Sequence, residues 1–243
     1  MRMLTFAKRN AKELLRDPLN LCFLFGFPAV LLILLSIIQA NIPVNLFEIK
    51  HLAPGVSVFG LSFMTLFAAT IISKDRKSSF MQRLYTTPMR PVDFILGYTL
   101  PLIPIAMVEG IVTYAIAIIF KLEINAYTLI SIVFIIPLAM FYIGLGLLCG
   151  SIFNDKQVGG ICGALLTNVS AWLAGIWFDL ELVGGVFKEI AYALPFVHSV
   201  EMQRAIIRGD MAGIFPHLWW VLGYAIAINI IAVFVFLRQM KKQ

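Results

Sequence analysis

The sequence predicts an all-α polytopic membrane protein with six transmembrane helices, an N-terminal amphipathic interfacial helix, and both termini in the cytoplasm. Three observations predict it. The chain is 60% hydrophobic with a mean hydropathy of +0.92, more apolar than the core of a soluble 243-residue protein requires. Its apolar residues fall in six continuous runs, each near the roughly 20 residues that cross a bilayer core, unlike the short alternating strands of a β-barrel. Its Lys and Arg are distributed unevenly between those runs, which sets an orientation.

The runs are 19–40, 52–73, 97–120, 128–152, 157–179 and 217–237. The first is longer than a signal-peptide core and no A-x-A-like site follows it, so it reads as a retained span. Arg2, Lys8, Arg9, Lys12 and Arg16 precede it. Lys74, Arg76, Lys77, Arg83 and Arg90 lie in the 74–96 loop, Lys156 in the 153–156 turn, and Arg238, Lys241 and Lys242 in the 238–243 tail. Only Lys50, Lys121, Lys188, Arg204 and Arg208 fall on the other side. The bias places the termini and the 74–96 loop inside and the 180–216 region outside, in the inner (plasma) membrane. The net charge of +6 is therefore topological, and no basic face on a soluble domain exists to hold nucleic acid.

Residues 1–18 carry the clearest local pattern. At 100° per residue, Leu4, Ala7, Ala11, Leu14 and Leu15 share one face. Lys8, Arg9, Lys12, Glu13, Arg16 and Asp17 share the other, with Phe6 alone among them. Such a helix suits the headgroup layer, either as a topogenic anchor or as a contact for a partner. Asp17-Pro18 ends it.

The 74–96 loop holds its own short helix. Ser79 and Gln82 have capping-box spacing. Phe80 and Leu84, and Met81 and Tyr85, are i,i+4 neighbours, and Thr87-Pro88 stops the helix. Two turns are not stable alone in water. The segment must dock, on lipid headgroups or in a groove of a soluble subunit, and Arg83 stands among its apolar knobs. The 180–216 region contains apolar pieces too short to span and reads as re-entrant or interfacial.

Within the spans, Gly146-x-x-x-Gly150 and Gly159-x-x-x-Gly163 offer small-residue faces for packing inside one subunit or at a dimer seam. Phe59, Phe63 and Phe67 form an i,i+4 stripe, a packing or lipid-facing surface, or a wall of a substrate path. Asn168, Ser170 and Trp172 put polarity in the fifth run, and an amide at that depth must find a partner. Glu109 lies inside the third run, past Pro101 and Pro104, as a functional carboxyl or a paired one facing the interior. It is the only acidic residue well inside a span, which does not support a proton-relay chain. Cys22, Cys149 and Cys162 read as small apolar residues. His51, His198 and His217 match no metal spacing. The sequence has no P-loop, no H-E-x-x-H and no nucleophile elbow. Nothing argues for catalysis or a cofactor in this chain.

Taken together, the chain resembles the type-2 ABC-transporter permeases, membrane subunits of bacterial exporters. The resemblance rests on the basic N-terminal helix running into "LLRDPLNLCFLFGFPAVLLILL", on "ISKDRKSSFMQRLYTTPMRPVDFILGY", and on "ALPFVHSVEMQRAIIRGD" before the last run. It implies six spans in residues 19–237, a second permease subunit in a homodimer or heterodimer, and two cytoplasmic ATPase subunits that carry ATP and Mg. It implies that residues 1–18 are a connecting helix. It implies that Ser79, Phe80, Met81, Arg83, Leu84 and Tyr85 belong to a coupling helix seated on the ATPase. It also places the second and fifth runs along a central path, which favours Phe63 and Asn168 among the candidate path residues Phe59, Phe63, Phe67, Asn168 and Trp172. The expected cargo is hydrophobic or amphipathic, such as a drug, a peptide antibiotic or a lipid-like molecule, with multidrug or antibiotic resistance as the role. A gradient-driven secondary transporter and a non-transporting scaffold or immunity protein are the competing readings.

Overall fold

The computed structural model describes residues 2–43, 47–78 and 91–240. Among them there are helices and turns and no strand. Helix α1 is Arg2–Leu15. The Asp17 carboxylate then accepts from the Asn20 amide at 3.2 Å, and Pro18 takes the first helical position, where its missing N–H costs nothing. Helix α2 is Pro18–Asn41, with a π-helical stretch at Cys22–Gly26. Helix α3 is Ile49–Lys77. Helices α4 (Pro91–Thr99) and α5 (Leu102–Ile119) are separated at Pro101, as the two prolines predict. Helices α6 (Ala126–Val133) and α7 (Ile135–Ile152) meet at Phe134.

Helix α8 covers 155–173. It opens on a reciprocal Asn154–Gln157 capping box, runs π-helical over Gly159–Leu166, and ends at Leu173. Three short helices follow: α9 (Leu180–Val183), α10 (Gly185–Ala193) and α11 (Pro195–Arg208). Helix α12 is Met211–Met240. Among the described residues, five stretches are long and apolar enough to cross a membrane: Pro18–Asn41, Ile49–Lys77, Val92–Ile119, Ala126–Ile152 and Met211–Gln239. The expected run 157–179 differs from these. It is helical only to Leu173 and then turns.

Helix α3 is the central mast. It is buried almost all round and is rich in Gly, Ala and Ser on the turns that face its neighbours. A helix apolar on every side belongs in the middle of a bundle, and small residues let backbones approach where lipid offers no hydrophobic drive. Its neighbours include α2, α5, α7, α8 and α11. A Cβ at Gly146 would stand 2.6 Å from the Thr65 carbonyl, and one at Gly150 would stand 2.7 Å from that of Ala69. The Thr65 hydroxyl donates to the Tyr142 carbonyl at 3.0 Å. The Gly146-x-x-x-Gly150 face is thus spent on α3–α7 packing within the chain. On the other flank of α7, the Asn229 amide of α12 donates to the Met140 carbonyl at 3.1 Å.

Helix α11 does not lie on the surface. Most of its length is buried, wedged among α3, α6 and α12. Gln203 ties it down: its carbonyl oxygen accepts from the Tyr114 hydroxyl at 3.0 Å, and its amide donates to the Ser131 carbonyl at 3.2 Å. Gly209, at φ +76°, ends the helix in the left-handed conformation that glycine adopts without a Cβ penalty.

Candidate functional site

Asp75 lies in the last turn of α3, inside the basic "KDRK" run. It is buried, and its Oδ2 collects two donors: the Arg9 guanidinium of α1 at 2.7 Å and the Tyr98 hydroxyl of α4 at 2.9 Å. A buried carboxylate needs such partners, and charge-assisted bonds of this kind are the strong ones. Arg9 also donates to the Asn10 side-chain carbonyl at 2.9 Å and pairs with Glu13. The fully buried Asn10 amide donates to the Gly97 carbonyl at 3.0 Å. Phe6 completes the clamp edge-on to Tyr98, ring centroids 4.9 Å apart. A Cβ at Gly97 would come within 2.2 Å of the Phe6 ring, so this contact requires glycine.

One residue further on, Arg76 donates to the Gly150 carbonyl at 2.8 Å, near the end of α7. The last carbonyls of a helix have no partner inside it and attract cations. The final turn of α3 is therefore bolted to α1 and α4 through Asp75 and to α7 through Arg76. The chain leaves this junction at Ser78 and returns to it at Pro91. The sequence-predicted coupling residues Ser79, Phe80, Met81, Arg83, Leu84 and Tyr85 lie outside the described residues.

The helical wheel placed Phe6 among charges. The structure makes Phe6, Ala7, Asn10 and Leu14 the buried face of α1 and leaves Leu4 and Leu15 exposed at 62% and 61%. A wheel sees one helix, and here the neighbouring α4 decides which side is inside. Asn10, Asp75, Gly97 and Tyr98 were missed by sequence reasoning. The available signal was one acid within a basic run.

The Phe stripe is buried. Phe59 meets Trp177 at 5.4 Å and Phe27 at 5.8 Å, and Phe63 meets Phe23 and Phe27 of α2 at 6.3 and 5.9 Å between centroids. Phe67 is fully buried. Asn168 and Trp172 are exposed on α8, in line with Gly160 and Ala164 at every fourth residue. The Asn168 amide finds its partner within its own helix, donating to the Ala164 carbonyl at 2.8 Å. Gly159 and Gly160 have open space where a side chain would stand. Glu109 is buried against Gly60 of α3. Its Oε1 accepts from the Thr113 hydroxyl at 2.9 Å, and its Oε2 has no partner among the described residues.

Apolar helices around a buried mast, joined at their basic end by an ion-paired junction, define a polytopic membrane protein. The family model "ABC-2 type transporter" matches residues 1–207, and the chain belongs to that family. It is 32% identical over 146 residues to the capsule polysaccharide export inner-membrane protein CtrC of Neisseria meningitidis serogroup B, covering 59% of this chain and 55% of that protein. It is 25% identical over 160 residues to the CtrC of serogroup A, covering 65% of this chain and 60% of that protein. The chain thus spans less than two thirds of the length of these relatives.

Proposed function

We propose that this chain is the membrane subunit of an ATP-driven exporter in the inner membrane, powered by a separate ATPase and moving a polysaccharide outward. The observation that carries the reading is the Asp75 junction. It braces both ends of the 79–90 segment and joins α1 to it, the arrangement needed to pass a push from a soluble motor into α3. The family match supports the transporter class. The names of the two relatives support a glycan cargo, in place of the hydrophobic or amphipathic compound and the resistance role that apolar spans suggested.

On this reading α8, about 28 Å long, is the sixth span of a bilayer core of about 30 Å. α1 lies in the inner headgroup layer with Leu4 and Leu15 toward lipid. The exposed α8 stripe from Gly160 to Trp172 meets a second permease or lines the path between the two, with Asn168 and Trp172 as path residues. Phe59 and Phe63 stand behind Phe23 and Phe27 and act only if α2 moves. Phe67 is a packing residue. Ser79, Phe80, Met81, Arg83, Leu84 and Tyr85 contact the ATPase, which supplies ATP and Mg chemistry that this chain lacks. Glu109 is an α5–α3 packing group and not a proton carrier. The test is cellular: remove the chain from a polysaccharide-producing strain and locate the polymer. Polymer held inside, and restored to the surface by the intact gene, supports the reading. Unchanged surface polymer contradicts it.

A further inference from the structure

At the opposite end of the bundle, a half-enclosed cavity of about 220 Å³ lies between the first turn of α3, the turn after α8, and helices α10 and α11. Its wall is polar, with His51, Asp179, Tyr192, Glu201 and Arg204, over apolar Leu180. Arg204 is tied through all three of its nitrogens. It donates to Glu201 at 2.9 Å, to the Gly175 carbonyl at 3.0 Å and to the His51 carbonyl at 3.4 Å. These bonds hold the guanidinium in the cavity wall, and its charge is paired with Glu201. Arg208 reaches Glu201 from the rim at 3.6 Å. Two carboxylates therefore face two guanidinium groups, and no surplus charge remains to hold an ion.

What remains unused is hydrogen-bonding capacity on three other side chains. The Tyr192 hydroxyl and the His51 ring make no hydrogen bond to the described residues. Of the Asp179 carboxylate, only Oδ1 is engaged, accepting from the Glu181 amide at 2.9 Å. One free carboxylate oxygen, one hydroxyl and one imidazole can accept from and donate to adjacent hydroxyls of one ring. The volume is below the roughly 300–1,000 Å³ of drug-sized pockets, so it admits one ring and not a chain segment.

We infer that this cavity is a saccharide subsite that takes a single uncharged sugar ring of the cargo at the outer mouth of the transporter. The inference rests on the proposed export function and adds the place where the glycan is held. A sugar bound there touches α3, α10 and α11 together, so occupancy would be felt by the mast that the Asp75 junction grips at its other end.

The test is saturation-transfer NMR on the full chain in detergent micelles, with methyl β-glucoside and methyl N-acetyl-β-glucosaminide as probes. Glycerol serves as a control that has vicinal hydroxyls and no ring. The expected result is transfer to the ring protons of at least one glycoside, reduced at least five-fold by Tyr192→Phe and by Asp179→Asn. Asparagine retains the cap on Glu181, and His51→Gln is the substitute should either variant misfold. Three results overturn the inference: no transfer to either glycoside, transfer unchanged in the variants, or transfer to glycerol equal to that of the glycosides. Failure here, with an ATPase still bound to the chain, removes only this subsite. Loss of the ATPase association removes the export reading whatever the sugars do.

Discussion

Arg9 and Asp75, 66 residues apart in sequence, meet at 2.7 Å, with the carboxylate side chain 3% exposed and the guanidinium side chain 34% exposed. That asymmetry decides which partner matters more. Arg9→Ala leaves a buried carboxylate with Tyr98 alone and should cost about 3 kcal/mol. Asp75→Asn leaves an arginine that turns to water and to Glu13, and should cost about 1–2 kcal/mol. Thermal unfolding in detergent checks the order. Equal losses would mean that Asp75 is solvated and the junction is not a clamp.

Gly60 and Glu109 form a second pair in which one atom decides. A Cβ at Gly60 would overlap the Glu109 carboxyl at 1.9 Å. Gly60→Ala should therefore destabilise by about 1–3 kcal/mol through overpacking. Gly60→Ala combined with Glu109→Ala, which vacates that space, should be more stable than the sum of the two single losses. Strict additivity in a double-mutant cycle would show that the two side chains do not meet.

His198 gives a pH prediction. Its Nε2 lies 3.0 Å from the Tyr192 carbonyl, which can only accept, so that nitrogen carries the proton. Its Nδ1 must then accept from the Nδ1–H of His217 at 2.8 Å. Burial holds His198 below the ordinary imidazole range, against the opposing pull of the Tyr192 carbonyl and, more weakly, Glu201, with the neighbouring His217 adding to the lowering. A base whose folded pKa is lowered adds stability above its unfolded value of about 6.5 and loses it as pH falls below that. The melting temperature should drop between pH 7.5 and pH 5, and less so in His198→Asn. A flat profile would rule out the neutral pair.

The exposed α8 stripe predicts a contact. In a background without Cys22, Cys149 and Cys162, Ala164→Cys should cross-link to a second copy in native membranes if the permease pair is identical. Ile226→Cys, on exposed α12, should not. Cross-linking at Ile226→Cys alone would move the seam to α12.

Much of the bundle was readable because membrane constraints act locally. Apolar run length and Pro101 are properties of short windows, and five of the six runs fall on described helices long and apolar enough to cross a membrane. The Asp75 junction was not readable. It joins residues 9, 75 and 98, and only their contact turns a basic run into a clamp. Phe6 shows the same limit, since its burial depends on Gly97 lacking a side chain. The turn that ends α8 at Leu173 was hidden because residues 174–179 remain apolar enough to read as helix. For Asn168 the requirement was legible, a partner for its amide, and the answer was its own Ala164 carbonyl.

The most direct test of the central claim is co-purification of the C-terminally tagged chain from native membranes in mild detergent. A soluble P-loop ATPase should be retained with the wild type in near-equal amount. It should be lost with Phe80→Asp/Leu84→Asp, while the variant still elutes as a folded species. A clean chain with no ATPase, or an ATPase retained by that variant, would contradict the account.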